Sequence, residues 1–218
     1  MSNTKAATSF IVPLWAGILR ILSFISLFWL LRLVIPWLRD KKHSYAVVEI
    51  WVIAHTALAL CVAVLANAGV VSPLVTILLV YGGLRVFEIV VTQTNILLFD
   101  EWRARRAGRP YSLRGYRRIF LLLLHNYAEV MFWFMAALVT FNSWSWLILD
   151  DATFSATFRS TLLSLVTLST EGIRPLGRFA VAFLALQSLA GVLMTVLTLA
   201  RFLSLLPTPA TQEPTEQE

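Results

Sequence analysis

The chain has 218 residues, of which 58% are apolar and only 14% charged, with a mean hydropathy of +0.76. A soluble domain usually carries about 25% charged residues, so this chain cannot cover its own surface with polar groups. That excludes a secreted disulfide scaffold, a disordered chain and most soluble enzymes; Cys61, the single cysteine, permits neither an intrachain disulfide nor a cysteine-based metal site. The net charge of +6 is concentrated in one place: arginines 103, 105, 106, 109, 114, 117 and 118 face only Asp100 and Glu101. A basic stretch beside apolar spans is the mark of a cytoplasmic loop. Nucleic-acid binding would need a folded soluble module with the arginines, and none accompanies them.

A membrane-crossing helix takes about 20 apolar residues. Five segments approach this: 11–38, with Arg20 and Arg32 inside; 45–66, with Glu49 and His55; 72–99, with Arg85 and Glu88; 119–141, with His125, Asn126 and Glu129; and 178–206. The first is too long for a signal peptide and is followed by no small-residue cleavage site. The tail from 207 to 218 is rich in Pro, Thr and Glu and reads as disordered. With the 100–118 loop inside, the second segment starts inside too, from the basic run Arg39-Asp40-Lys41-Lys42-His43. Segment 11–38 then either crosses, which puts the N-terminus outside and is the reading its apolar density favours, or lies at the interface, or folds back.

Between the last two spans, Ser155 to Ser169 is apolar but only 15 residues long, about 22 Å as a helix, too short to cross. Its Ser160, Thr161, Ser164, Thr167, Ser169 and the adjacent Thr170 gain nothing from lipid, which predicts burial within protein. Span, short re-entrant helix, loop, span is the layout of a pore module. The expected fold is therefore an all-α membrane protein of four to five transmembrane helices plus a re-entrant pore helix, assembled as a channel-like tetramer. Residues 1–99 are its peripheral segments, 100–118 its basic cytoplasmic loop and 119–206 its pore module.

The run Leu163-Ser164-Leu165-Val166-Thr167-Leu168-Ser169-Thr170 resembles the pore helix of two-transmembrane potassium-channel modules, which continues through T-V-G-Y-G-D, and LQSLAGVLMTVLTLARFLSLL resembles their inner helix. The likeness covers about residues 119–206. It breaks at the filter: Glu171 stands where Val is expected, and Gly172 is followed directly by Ile173-Arg174-Pro175, without Tyr-Gly-Asp. Potassium selectivity rests on stacked carbonyl rings, and a filter this short cannot supply them. The resemblance implies a pore, with Thr170, Glu171, Gly172 and Arg174 at its filter. In a fourfold assembly Glu171 would form a carboxylate ring that attracts sodium, potassium or calcium, and protonation would discharge it. A Glu171–Arg174 pair would instead neutralise the ring.

On the last span Gln187, Gly191, Thr195, Thr198 and Phe202 recur at helical spacing on one face. This face is expected to line the axis, with Gly191 as hinge or close-packing point and Phe202 as gate. Arg85, Glu88, His125, Asn126 and Glu129 form the expected intramembrane polar network. Arg85 and Glu88, three apart, can pair in cis, Glu129 needs a partner from another helix, and Glu49 is matched with Arg20 or Arg32. His43, His55 and His125 are too scattered to ligate a metal, and neither cofactor nor catalytic group is expected. The functional expectation is a tetrameric cation channel of poor potassium selectivity in a bacterial cytoplasmic membrane, with the C-terminus inside. Its expected partners are copies of itself, the bilayer, anionic lipid at the 100–118 loop and a cytoplasmic protein. The alternative is a non-conducting, channel-derived scaffold that signals to a cytoplasmic partner.

Overall fold

The computed structural model describes residues 10–26, 41–70, 72–110 and 115–205. Arg32, Arg39, Asp40, Arg114 and the tail from Pro207 lie outside them. In chain order the elements are α1 (Ile11–Leu22) with a 3-10 turn (Ser23–Ile25), α2 (Lys41–Asn67), α3 (Pro73–Arg106), α4 (Tyr116–Ser143), β1 (Leu147–Leu149), α5 (Phe154–Val166), β2 (Ile173–Pro175) and α6 (Arg178–Leu205). Four stretches are long and apolar enough to cross a membrane: Ala46–Asn67, Pro73–Arg106, Arg117–Ser143 and Arg178–Leu203. The chain is thus a multi-pass helical membrane protein, with four such helices among the described residues.

The hub is α4. Half of its apolar stretch is buried, against 28% for α2 and 39% for α3 and α6. Ala59, Ala63 and Ala66, on one face of α2, present almost no side chain and let the two helices approach closely. Around Val130, Met131, Phe134 and Met135 of α4 gather Val75, Val86 and Ile89 of α3, Leu165 of α5 and Met194 of α6. A second cluster, of Leu138, Leu147, Leu149, Ile173, Ala180 and Leu184, closes the end of the bundle at the two short strands. There Phe141, Trp144, Trp146 and Phe179 stack with ring centroids 4.6–5.6 Å apart, the aromatic belt usual at a membrane interface. The arginines mark the opposite end.

Segment 11–38 is not one continuous helix. After α1 the Ser23 hydroxyl donates to the Arg20 carbonyl at 2.6 Å, competing with the backbone as serine does inside helices. Ser26 then turns extended (ψ 130°), and its hydroxyl donates to Glu88. Ala16 and Leu19 pack on Val91 and Phe99, with Val12 and Trp102 beside them. α1 therefore runs antiparallel to the C-terminal half of α3, from the arginine end to the level of Glu88. Lys41 also starts at the arginine end, since Glu49 of α2 pairs with Arg118. Both Phe10 and the start of α2 lie at that end, and α1 with its 3-10 turn, too short to cross, reaches only to the level of Glu88; the rest of the expected span, from residue 27, lies outside the described residues. The same ion pair corrects the match of Glu49 with Arg20 or Arg32.

The basic segment is also shorter as a loop than expected. Residues 100–106 are the last turns of α3, because the charges there pair along the helix: Asp100 with Arg103 at 2.8 Å, Glu101 with Arg105 at 2.5 Å, and the Arg106 guanidinium 5.2 Å over the Trp102 ring. Cations also suit a helix C-terminus. Gly108, at φ +64°, then closes the helix while Arg109 N donates to Ala104 O at 3.0 Å. Single cysteines at Phe10 and Gly108, in a Cys61→Ala background, should both react with a membrane-impermeant thiol reagent from one side of sealed vesicles, and one at Ser72 from the other. Labelling of Phe10→Cys from the Ser72 side would show that the first segment crosses.

Candidate functional site

Two constellations carry the chemistry. The first is a buried ion cluster at mid-bundle. Arg85 of α3, 3% exposed, donates from Nη1 to Glu88 Oε2 at 2.5 Å, and from Nε and Nη2 to the two Glu129 oxygens at 2.9 Å each. Glu129, on α4, is fully buried and also accepts from Trp133 Nε1 at 3.3 Å. The expected cis pair of Arg85 with Glu88 therefore forms, and Arg85 is also the partner on another helix that Glu129 was expected to need. A planar guanidinium holding one carboxylate by both oxygens is the strongest ion-pair geometry available. Trp133 can lie where it does because Gly82 faces it; a Cβ there would overlap the indole.

The cluster recruits residues that the sequence pattern did not single out. Trp51 of α2 lies 5.5 Å from the Arg85 guanidinium. His55 Nδ1 bonds the Trp51 carbonyl at 2.7 Å, and its Nε2 bonds the Tyr81 hydroxyl. A carbonyl only accepts, so Nδ1 carries the proton and Nε2 accepts from Tyr81 in the neutral ring. With Ser26 on Glu88, the network joins the end of the α1 segment to α2, α3 and α4. Helical spacing offered the signal: Trp51 precedes His55 by four residues and Trp133 follows Glu129 by four. His125 does not belong, because its Nδ1 donates to its own helix at Leu121 O, 2.8 Å away, on the exposed side of α4. Asn126 is buried but makes no hydrogen bond to the cluster among the described residues.

The second constellation is the return loop, 167–172. α5 ends at Val166, and its buried face, Thr157, Ser160, Thr161 and Ser164, meets α6 and α4. Gln187, fully buried, donates from Nε2 to Ser164 Oγ, and a Cβ at Gly191 would overlap the Leu165 backbone. Gln187 and Gly191 stand nine and thirteen residues past Arg178, about 14 and 20 Å along α6. The C-terminus of α5 thus lies well inside the bundle. From there the chain returns in six residues: Leu168 sits at φ +61° and Gly172 at φ +78°. Gly172 O accepts from Asp150 N at 3.0 Å, and Ile173 N donates to Thr170 O at 3.0 Å. A Cβ on Gly172 would come 3.1 Å from Ser160 Oγ, so space as well as φ calls for glycine there. Ile173–Pro175 then pairs antiparallel with Leu147–Leu149, a strand pair the sequence pattern did not suggest.

The loop's charges pair differently from the Glu171–Arg174 expectation. Glu171 accepts from Arg159 of α5 at 3.1 Å, and Arg174 donates to Asp150 at 3.1 Å. Strand pairing is the reason: Arg174 sits opposite Ile148 in register, beside Asp150. Thr170, Glu171 and Arg174 are exposed. The backbone N–H groups of Leu168, Ser169, Thr170 and Gly172 find no acceptor among the described residues.

On the α6 face expected to line an axis, Gln187 and Gly191 are buried, Thr195 and Thr198 are half-buried, and Phe202 is 42% exposed. Besides Gln187 and Gly191, Thr195 Oγ1 bonds the Tyr127 hydroxyl at 3.1 Å, Thr198 bonds Met194 O at 2.6 Å, and Phe202 stacks on Phe120 at 5.4 Å. The physical reason is local satisfaction: polar side chains in an apolar helix take the nearest acceptor or donor, Gln187 on α5, Thr195 on α4 and Thr198 on its own helix. Gly191 is accordingly a close-packing point. The chain matches no family model, no curated protein and no solved structure.

Removing one partner of a buried ion pair leaves an uncompensated charge and costs about 3–5 kcal/mol, whereas replacing the whole group by apolar residues is often neutral. Arg85→Leu should therefore unfold in detergent at markedly lower temperature or denaturant, and the triple change Arg85→Leu, Glu88→Leu, Glu129→Leu should recover most of the loss. An Arg85→Leu protein as stable as wild type would remove the cluster from the stability of the bundle.

Proposed function

We propose that the chain is the subunit of a tetrameric, channel-like membrane protein in which α5 re-enters the membrane from one side and residues 167–172 line a pathway for cations. The observation that carries the reading is the return loop. Four of its backbone N–H groups have no acceptor among the described residues, and it begins near Gln187 and Gly191, well along the apolar α6. Irregular backbone at membrane depth is tolerated only when it is buried in protein or lines a water-filled cavity. Here the described residues leave it open, so further copies and water at a shared axis are its natural cover.

Glu171 supplies the charge. Rings of acidic side chains admit cations, and without a carbonyl stack they pass them partly hydrated. The pathway is therefore proposed to pass sodium, potassium or calcium with little preference for potassium. The positive-inside rule places the arginine end, and with it the end of α6, in the cytoplasm, where Arg105, Arg109 and Arg117, all exposed, can meet anionic headgroups. The Arg85 cluster serves as the fastening between this module and the peripheral helices.

One observation favours a second reading. Arg159 already cancels the Glu171 charge, which suits a non-conducting scaffold that keeps the channel architecture and signals through its arginine end to a cytoplasmic partner. Ion flux in liposomes separates the two. Cation flux above that of empty liposomes, reduced about tenfold or more in Glu171→Gln, is the channel result, since a like-signed cleft raises local counter-ion concentration by at least that factor. Folded, assembled protein that passes no ion, with Arg159 present or neutralised, would favour the scaffold reading.

A further inference from the structure

Glu171 and Arg159 form an ion pair that spans two parts of the module. Arg159 lies on the face of α5 made of Ser155, Arg159, Leu162 and Val166, the face left open when Thr157, Ser160, Thr161 and Ser164 pack inward. Both partners stay open to solvent in the subunit, at 63% and 62% exposure. The other arginine of the loop region is held elsewhere, by Asp150 on the strand side. The two arginines therefore have different tasks. Arg174 fastens the strand pair, and among the described residues Arg159 is the cation that pairs with the carboxylate proposed to attract cations.

We infer that Arg159 sets the charge that the return loop presents to a permeating cation: its guanidinium masks the Glu171 carboxylate and so limits cation entry. This rests on the reading of residues 167–172 as a cation pathway. An exposed pair gains little free energy from pairing, so Arg159 is not needed to hold the loop, which is already tied by Asp150 N on Gly172 O, by Ile173 N on Thr170 O and by the strand pair. Its effect on the potential is larger than its effect on stability, because an assembly brings one Arg159 per subunit to the same carboxylates. Removing that charge leaves the Glu171 ring unopposed, and the local concentration of cations at the mouth rises.

The test is flux of sodium and of potassium into liposomes holding the full chain, with size-exclusion profile and thermal unfolding as folding controls. Arg159→Gln and Arg159→Met should each raise cation flux about tenfold, Arg159→Lys should leave it near wild type, and Arg159→Gln combined with Glu171→Gln should lose the gain. Flux in the neutral variants equal to or below that of a conducting wild type would overturn the inference and mark Arg159 as a strut. A gain that survives Glu171→Gln would overturn it as well, since Arg159 would then act through another group. Silence of wild type and neutral variants alike, from folded protein, would overturn the channel reading beneath it.

Discussion

A guanidinium cannot enter an apolar bundle without bringing its counter-charges along. Arg85 sits at mid-bundle, and the arrangement of the peripheral helices follows from how its charge is met. Glu129 holds it by both oxygens across the α3–α4 contact, Glu88 holds it from the next turn of its own helix, and Trp51 covers it from α2. Bringing these groups together fixes the rotation of α3 against α4 and requires Gly82 to make room for Trp133. Desolvating such charges is costly unless every lone pair finds a donor, and Trp133 on Glu129 and Ser26 on Glu88 supply donors. The half-depth position of α1 belongs to the same solution, since the end of its segment delivers Ser26.

The other half of the molecule meets the same constraint in a different way. The α5 hydroxyls turn inward onto α4 and α6, and the polar residues of α6 turn toward them. Gln187 and Ser164 bond each other across the two helices, while Thr157 Oγ1 and Gln187 Oε1 are buried with no partner among the described residues. The return loop keeps backbone N–H groups with no acceptor among the described residues, and in the proposed reading further copies cover them. Fastening and opening are thus divided between the two regions: the Arg85 cluster closes one on itself, and the loop leaves the other unfinished.

Much of this was legible in the residues. Apolar length identifies the four long helices, and the short hydroxyl-rich segment before the last span identifies α5. The three-residue spacing of Arg85 and Glu88 predicts their pair, and the isolation of Glu129 on its own helix predicts a partner on another. What was not legible has a common physical cause: it depends on which residues a neighbouring element brings near. Apolar density cannot tell a crossing helix from a half-depth one, since lipid and protein interior reward the same side chains, so α1 needed the Ser26–Glu88 bond and the cluster of Ala16 and Leu19 with Val91 and Phe99 to be placed. Proximity along the chain suggested Glu171–Arg174, but pairing of β1 with β2 carries Arg174 to Asp150 and leaves Glu171 to Arg159, twelve residues upstream. Helical spacing correctly gathered Gln187, Gly191, Thr195, Thr198 and Phe202 on one face, yet spacing does not say what that face meets. Gln187 and Gly191 meet α5 and Thr195 meets α4, while Thr198 bonds its own helix and Phe202 stays 42% exposed.

The central claim is that the open backbone of residues 167–172 is covered by symmetry-related copies around a wet axis. Single-particle electron microscopy of the full chain in lipid nanodiscs tests it most directly. Four copies with their return loops converging on a solvent-filled axis, and Glu171 within reach of that axis, is the expected result. A monomer or dimer whose return loop is sealed by its own chain or by lipid would contradict it.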